Sequence, residues 1–133
     1  LMLNRFYFAQ YASNDPCSNA LNNEKYMLVS HIIRFIQDNY SNELSLDILS
    51  KKFFISKSLM NSLFRNITGM TPNQYISNYR LHQAKKLLLQ NLPINTICVK
   101  SGFNDTSYFS HIFKQQVGMS PKKYQMLYRN MHW

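Results

Sequence analysis

The chain carries the stretch FRNITGMTPNQY at residues 64–75 and repeats it as FKQQVGMSPKKY at residues 113–124. Phe, Gly, Met, Pro and Tyr keep their places in both copies, at a constant offset of 49 residues. Upstream the repeat continues at an offset of 48, pairing Leu46 with Ile94, Leu49 with Ile97, Ser50 with Cys98 and Ile55 with Phe103. Chance does not hold so many residue types in register, so the sequence is an internal duplication whose second copy has a longer turn.

Each copy has the outline of a helix-turn-helix unit, with a short helix, a tight turn and a second helix. The short helices are predicted from Leu46 to about Phe53, after the capping residue Ser45, and from Pro93 through Ser101. The second helices each start after a capping side chain and end at a glycine; these residues are Ser56 with Gly69, and Asp105 with Gly118. Gly102 marks the turn of the second copy, so all three glycines of the chain fall at joints between predicted helices.

Three further helices complete the pattern; their ranges are Lys25 to about Tyr40, Pro72 to about Leu89, and Pro121 to about Asn130. Apolar residues at helical spacing predict the first, and a hydroxyl residue followed by proline opens each of the others. The middle helix links the two copies and would be roughly 27 Å long at about 1.5 Å per residue. The chain is thus predicted to be all-α, with about seven helices forming two helix-turn-helix subdomains joined by one long linking helix.

These helices divide the chain into three parts. Residues 1–24 are interpreted as the tail of an upstream domain and a linker, because 1–12 are apolar and aromatic and 13–23 are rich in Ser, Asn and Asp. Residues 25–89 are predicted to form the first subdomain with the linking helix, and residues 90–133 the second. The chain does not begin with Met, which fits a fragment of a longer protein.

The positive charge is unevenly distributed along the chain. The net charge is +9 over 133 residues, but residues 1–44 sum to −1 and residues 45–133 to +10. Such an asymmetry indicates a polyanionic partner, either nucleic acid or an anionic membrane surface. Charge alone leaves these two partners open, together with a basic protein that has no anionic partner.

Composition argues against several other classes of protein. The only two cysteines, Cys17 and Cys98, form no metal-binding spacing, so neither a disulfide framework nor a zinc site is expected. The six carboxylates are scattered, with no nucleophile and base pair and no phosphate-binding loop, so the chain is predicted not to be an enzyme and to need no cofactor or metal. No apolar run is long enough for a membrane span, and no signal peptide is visible, which favours the cytoplasm.

The second helix of each copy has one polar face. In the first copy Met60, Leu63 and Phe64 form the apolar side, and in the second Phe109, Ile112 and Phe113 do so. The candidate DNA-binding residues on and beside the polar faces are Lys57, Ser58, Asn61, Ser62 and Arg65, and Thr106, Ser107, Ser110, His111 and Lys114. Small hydrogen-bonding side chains let a helix approach base edges in the major groove, while cations and helix N-termini suit phosphates. An ordinary solvated face would explain one such helix, but two matched faces favour double-stranded DNA.

The second copy reads ICVKSGFNDTSYFSHIFK over residues 97–114, followed by GMSPKKY over residues 118–124. This pattern resembles the AraC/XylS family of bacterial transcription regulators, and the resemblance covers about Ser45 to Arg129. It implies two helix-turn-helix subdomains, a cytoplasmic location and control of transcription initiation, most often activation. It also implies RNA polymerase as a partner and an N-terminal domain for effector binding or dimerisation, absent from this sequence.

The sequence departs from the family pattern at the turns and on the polar faces. The family usually has Gly where Phe54 stands, and a left-handed Phe would cost energy, so this turn is expected to differ locally. Ser50 and Cys98 stand where the family often has Ala, at positions where the two helices of each unit pack closely. Both are also small residues. Ser62 and His111 stand where the family often has Arg, so the resemblance transfers the base-facing role to them but not a target sequence.

Two functions remain after this comparison. The first is sequence-specific binding of double-stranded DNA, with the two second helices in successive major-groove segments and no membrane partner. The second is a protein-interaction module that docks on RNA polymerase or on another regulator through the same helices.

Overall fold

The structure is a computed structural model that describes residues 16–129, with side chains from residue 22 onwards. Its helices are α1 (Pro16–Asn39), α2 (Leu46–Phe53), α3 (Lys57–Thr68), α4 (Pro72–Leu88), α5 (Ile94–Lys100), α6 (Thr106–Val117) and α7 (Pro121–Tyr128). Residues 16–129 contain these seven helices and no strand. The predicted all-α fold with about seven helices is confirmed.

Helix α1 begins earlier than the sequence indicated. It starts at Pro16, nine residues before the expected Lys25, so residues 16–23, which were interpreted as part of a linker, are helical. Proline fits the first position of a helix, and Ser and Asn are only mildly unfavourable inside one, so a turn-like composition does not prevent a helix here. The rest of the predicted tail and linker, residues 1–15, lies outside the described residues.

The predicted caps are present at the starts of the helices. The hydroxyl of Ser45 accepts a hydrogen bond from the backbone N–H of Ile48 at 3.2 Å, and that of Ser56 accepts one from Leu59 at 3.1 Å. In the second copy, the carboxylate of Asp105 accepts from the N–H of Ser107 at 2.8 Å, and Ser120 caps α7 in the same way as the other serines. These side chains satisfy N–H groups that the helix itself leaves without a partner.

Both helix-turn-helix turns pass through a left-handed residue. Phe54 has φ 58° and ψ 38°, and Gly102, which lies 48 positions later, has φ 94°. The expectation that the Phe54 turn differs locally is therefore wrong. The ring is 93% exposed, so only its Cβ opposes this backbone conformation, at a cost of about 1–2 kcal/mol. The extra residue of the second copy is Asn104, between this turn and the cap of α6.

The same side-chain bond closes both turns. The hydroxyl of Ser50 donates to the carbonyl of Ile55 at 2.5 Å, and the thiol of Cys98 donates to the carbonyl of Phe103 at 3.5 Å. Backbone bonds run the other way, from the N–H of Ile55 to the carbonyl of Ser50 and from Phe103 to Cys98, at 3.2 and 2.9 Å. The small residues that the sequence predicted for helix packing thus also fix the start of the second helix.

The chain forms two compact units that divide helix α4 between them. Within the described residues, the first comprises 16–39 and Leu44–Ile76, and the second comprises Tyr40–Glu43 and 77–129. The sequence assigned residues 25–89, and hence the whole linking helix, to the first subdomain. The structure divides this helix because its C-terminal half supplies Leu81, Ala84 and Leu88 to the core of the second unit.

The first unit buries its apolar residues on α1, α2, α3 and the first turns of α4. The residues with no exposed surface include Val29, Ile32, Ile36, Leu49, Met60 and Phe64. The ring of Phe64 packs edge-on against that of Tyr75, with centroids 5.6 Å apart, and the hydroxyl of Tyr75 accepts a hydrogen bond from Gln37 at 3.0 Å. These contacts hold the apolar face of α3 against the core of the first unit and leave the opposite face exposed to solvent.

The second unit is built around aromatic residues of α6. The rings of Phe103, Phe109 and Phe113 follow one another at 5.0 and 5.8 Å, and Tyr124 of α7 lies 5.5 Å from Phe113. The buried positions repeat those of the first unit, because Phe109 and Phe113 stand 49 residues after Met60 and Phe64. The duplication also extends upstream, where Leu81 and Ala84 of α4 stand 48 residues after Ile33 and Ile36 of α1.

Candidate nucleic-acid interface

Helix α3 presents the predicted polar face to solvent. Its buried residues are Met60, Leu63, Phe64, Ile67 and Thr68. Because side chains three and four positions apart share a face, this leaves Ser58, Ser62 and Arg65 exposed, with Asn61 half-buried at the edge. Arg65 ends this face in the last turn of the helix.

Helix α6 repeats the arrangement with different residues. Phe109 and Phe113 are fully buried, while Ser107, His111 and Lys114 are exposed. Ser110 is half-buried, as is Asn61, to which it corresponds at the offset of 49. The structure therefore places the predicted residues on two matching outward faces, and their role in binding DNA stays a prediction.

The remaining two predicted residues, Lys57 and Thr106, each form a side-chain contact with the preceding helix. Lys57 forms an ion pair with Asp47 of α2, and the hydroxyl of Thr106 donates to the side-chain oxygen of Asn95 of α5 at 3.3 Å. The hydrogen bond from Lys57 holds the pKa of the Asp47 carboxyl below its usual value, so this carboxylate is charged at neutral pH.

These two side-chain contacts occupy equivalent positions in the two copies. Asp47 and Asn95 are 48 residues apart, and Lys57 and Thr106 are 49 apart, as the repeat requires. The contact is ionic in the first unit and neutral in the second. Asp47 and Asn95 were not predicted as site residues, although extending the repeat by one position from Leu46 and Ile94 pairs them.

An exposed apolar residue accompanies each polar face. Leu59 is 52% exposed and Tyr108 is 49% exposed, and they too are 49 positions apart. At 100° per residue, Leu59 lies about 60° from Ser62 around α3, and Tyr108 lies about 60° from His111 around α6. Each lies at the edge of the polar face that is farther from Asn61 or Ser110. Apolar side chains at such positions can contact thymine methyl groups in a major groove. Neither residue was predicted as a site residue, because apolar side chains on a helix are expected in the core.

The basic surface is almost free of neutralising acids. Within residues 16–129, Lys57 is the only lysine or arginine paired with a carboxylate. The lysines Lys51, Lys52, Lys86, Lys122 and Lys123 are exposed. Lys52 also lies 5.5 Å from the centre of the Phe35 ring. Unpaired cations on a surface are available to phosphates.

Other titratable groups in the described residues show no catalytic arrangement. Cys98 is 2% exposed, and burial raises the pKa of its thiol, so it is protonated at neutral pH and acts in packing and in the turn bond. Between residues 16 and 129 no three His, Cys, Asp or Glu side chains come close enough to hold a metal ion. In the same range no helix has the length and apolarity of a membrane span.

Comparison with known proteins agrees with this geometry. The family profile described as "Helix-turn-helix domain" matches residues 49–126, which are more than half of the chain. The turn and the second helix of the first copy and the whole second copy lie within this match. The two units therefore belong to the helix-turn-helix class of DNA-binding domains.

The relatives identify the family within this class. The chain is 33% identical over 99 residues to the probable transcriptional regulator LumQ of Photobacterium leiognathi, covering 74% of this chain and 40% of LumQ. It is 29% identical over 126 residues to the transcriptional activator RhaR of Enterobacter sp. strain 638, covering 94% of this chain and 42% of RhaR. The chain thus spans about two fifths of the length of these relatives.

A solved structure shows the same fold. The DNA-binding domain of AdpA, a global transcriptional factor crystallised with a target DNA, superposes with a TM-score of 0.74 at 22% identity, over 78% of this chain and 95% of that domain. The chain belongs to the AraC/XylS family and corresponds to its C-terminal DNA-binding domain. It is a DNA-binding module of a transcription regulator and not an enzyme, as the sequence predicted.

Proposed function

We propose that the chain binds specific sequences of double-stranded DNA through the outward faces of α3 and α6, and that it thereby activates transcription initiation. The observation that carries this proposal is the matched pair of faces, each with small polar residues followed by a cation, Arg65 or Lys114. Short polar side chains allow close approach to base edges, and the terminal cation suits a backbone phosphate.

Two recognition helices in one chain support two contacts with one duplex. We place α3 and α6 in successive major-groove segments, since the continuous helix α4 of 17 residues joins the two units in the sequence. Within each helix, Ser58, Asn61, Ser62 and Ser107, Ser110, His111 are the proposed base-facing residues. Lys57, Arg65, Thr106 and Lys114 are the proposed phosphate-facing residues.

The partners beyond DNA are also proposals. An activating role follows the description of RhaR as an activator, and we infer RNA polymerase as a partner in this role. Helix α7 offers apolar surface for a protein contact, because Met126 is 58% exposed and Leu127 48%. The second candidate is a module that docks on RNA polymerase or another regulator through the helices of the two helix-turn-helix units, without reading DNA. Effector binding or dimerisation is assigned to a further N-terminal domain, and the site of action is the cytoplasm.

The test is selection of bound promoter fragments from the source genome at low salt, followed by footprinting. The wild-type chain should retard selected fragments, and Ser110→Ala or His111→Ala should change which fragments are selected. Arg65→Ala and Lys114→Ala should instead weaken binding to every duplex, each lowering the magnitude of the salt slope by about 1. His31→Ala, an exposed substitution on α1, is the control and should change neither property.

Two results would contradict the proposal. If no promoter fragment is retarded at low salt, the chain does not act by binding DNA. If all four substitutions weaken every duplex by the same factor, the outward faces do not read bases.

A further inference from the structure

The first unit has an open cavity of about 500 Å³ between α1 and the C-terminal half of α3. Leu63 and Ile67, both buried on α3, contribute apolar wall to it. Polar side chains of both helices line the rest; these are Asn22, Lys25 and Tyr26 from α1, and Arg65 and Asn66 from α3. No role was predicted from the sequence for this part of α1.

Among the described residues, the lining of this cavity carries two cations and no carboxylate. Lys25 and Arg65 are both exposed, and within residues 16–129 neither is paired with an acid. Glu24 precedes Lys25 in the chain but does not line the cavity. Two cations on the walls of one cavity both attract an anion that lies between them, so the arrangement favours an anionic occupant.

The position of the cavity indicates which anion this is. Arg65 is shared between the cavity and the proposed DNA-binding face of α3, so the cavity adjoins that face. A duplex bound to α3 therefore brings backbone phosphates to its opening. A lysine, an arginine and the amide groups of Asn22 and Asn66 are the donors that bind phosphate oxygens in protein–DNA complexes.

We propose that Lys25 and Arg65 bind one backbone phosphate of the duplex, so that α1 is part of the DNA interface together with α3. This inference rests on the proposed function. The fold does not require a cation at this position, because the duplication places Asn73 of α4, 48 residues later, where Lys25 stands on α1. The second cation is thus a property of the first copy.

The experiment compares Lys25→Gln with Arg34→Gln, which removes the same charge from an exposed position of α1 outside the cavity. Affinity is measured by fluorescence anisotropy for a selected duplex and for an unrelated duplex, across a range of KCl concentrations. Lys25→Gln should weaken both complexes about 5–10-fold and lower the magnitude of the salt slope by about 0.9, the value for one phosphate. Arg34→Gln should leave the slope unchanged.

Two further measurements test whether Lys25 and Arg65 share one phosphate. Lys25→Arg should restore the slope, and a double-mutant cycle of Lys25→Gln with Arg65→Gln should be non-additive, because both residues bind the same group. Inorganic phosphate, titrated onto the DNA-free protein, tests for a small anion in place of DNA. Thermal unfolding of each variant checks that the fold is intact.

The outcomes distinguish this inference from the proposed function. If the wild type binds DNA while Lys25→Gln and Arg34→Gln give equal slopes, the phosphate site is disproved and the proposed function stands. The inference is also overturned if inorganic phosphate binds through Lys25 but the salt slope of DNA binding does not depend on Lys25. If the wild type binds no duplex, the proposed function itself fails.

Discussion

At the scale of single residues, two glycines with the same backbone conformation should respond differently to the same substitution. Gly102 has φ +94° and Gly118 has φ +95°, both in the left-handed region that favours glycine. A Cβ on Gly118 would meet no atom within 4 Å. A Cβ on Gly102 would collide with the backbone oxygen of Tyr40 and lie 2.7 Å from Nε of Arg80.

The collision matters because these atoms hold a loop in place. Arg80 donates from Nε to the carbonyl of Tyr40 at 2.8 Å and from its guanidinium to the carbonyl of Asn42 at 2.9 Å. Gly118→Ala should therefore cost only the backbone strain, about 1–2 kcal/mol. Gly102→Ala should cost at least about 3 kcal/mol, since it adds the loss of one or both hydrogen bonds to that strain.

Urea unfolding of the two variants, followed by far-UV circular dichroism, measures the difference in the free energy of unfolding. Arg80→Lys is a useful third variant, because it keeps the charge but loses the guanidinium geometry that reaches two carbonyls. Equal costs for the two glycine variants would show that the contact of Gly102 with Tyr40 does not constrain the fold.

Some residue-scale properties could be predicted from the sequence, and others could not. The cap residues were predictable because each satisfies a local requirement of the helix start, as Ser56 and Asp105 do. The conformation of Phe54 was not, because its strain is offset by bonds elsewhere in the turn, including the backbone bond from Ile55 to Ser50. A sequence shows the local cost of such a residue but not the contacts that outweigh it.

At the scale of elements, the side-chain contacts at the starts of α3 and α6, Lys57 with Asp47 and Thr106 with Asn95, should set how strongly each helix attracts phosphate. In the first unit Asp47 already pairs with Lys57, so a phosphate must compete with a carboxylate for this lysine. Asp47→Asn removes the competitor and matches Asn95 of the second unit. It should strengthen binding to every duplex and make the salt slope steeper by about 0.9 if Lys57 then binds a phosphate.

The reciprocal variant is Asn95→Asp, which places a carboxylate beside the start of α6. Its side-chain oxygens can still accept the hydrogen bond from Thr106, so the local structure should be kept while binding becomes weaker. Anisotropy titrations of both variants against KCl test the pair together. If neither variant differs from the wild type, the starts of α3 and α6 do not approach the phosphates.

Element boundaries were predictable where the chain carries explicit start and stop residues. Helices α2 to α7 end within about two residues of the predicted positions, since serine, aspartate, proline and glycine mark their ends. The start of helix α1 was predicted wrongly, because its first residues do not show apolar side chains at helical spacing. The division of α4 between the two units also escaped prediction, because a single continuous helix carries no sequence signal for which core each half enters.

At the scale of the whole molecule, the charge distribution predicts a strongly salt-dependent interaction. From residue 45 onwards the sequence has a net charge of +10 and only two acids, Asp47 and Asp105. Asp47 is paired with Lys57, and Asp105 caps the start of α6. Among the described residues neither acid is paired with any other exposed lysine, so counterion release from DNA should drive much of the binding.

If the chain contacts about six phosphates, its affinity for any duplex should fall about a thousandfold between 50 and 200 mM salt, with a slope near −5. The selected and the unrelated duplex should differ in affinity at every salt concentration but share a similar slope, because base contacts release few ions. Anisotropy titrations at four or more KCl concentrations measure both quantities. A salt slope close to zero would mean that the chain releases few counterions from DNA and so contacts few phosphates. That result would favour the protein-interaction module. A steep slope with equal affinities for the two duplexes would show that the chain binds DNA without reading its sequence.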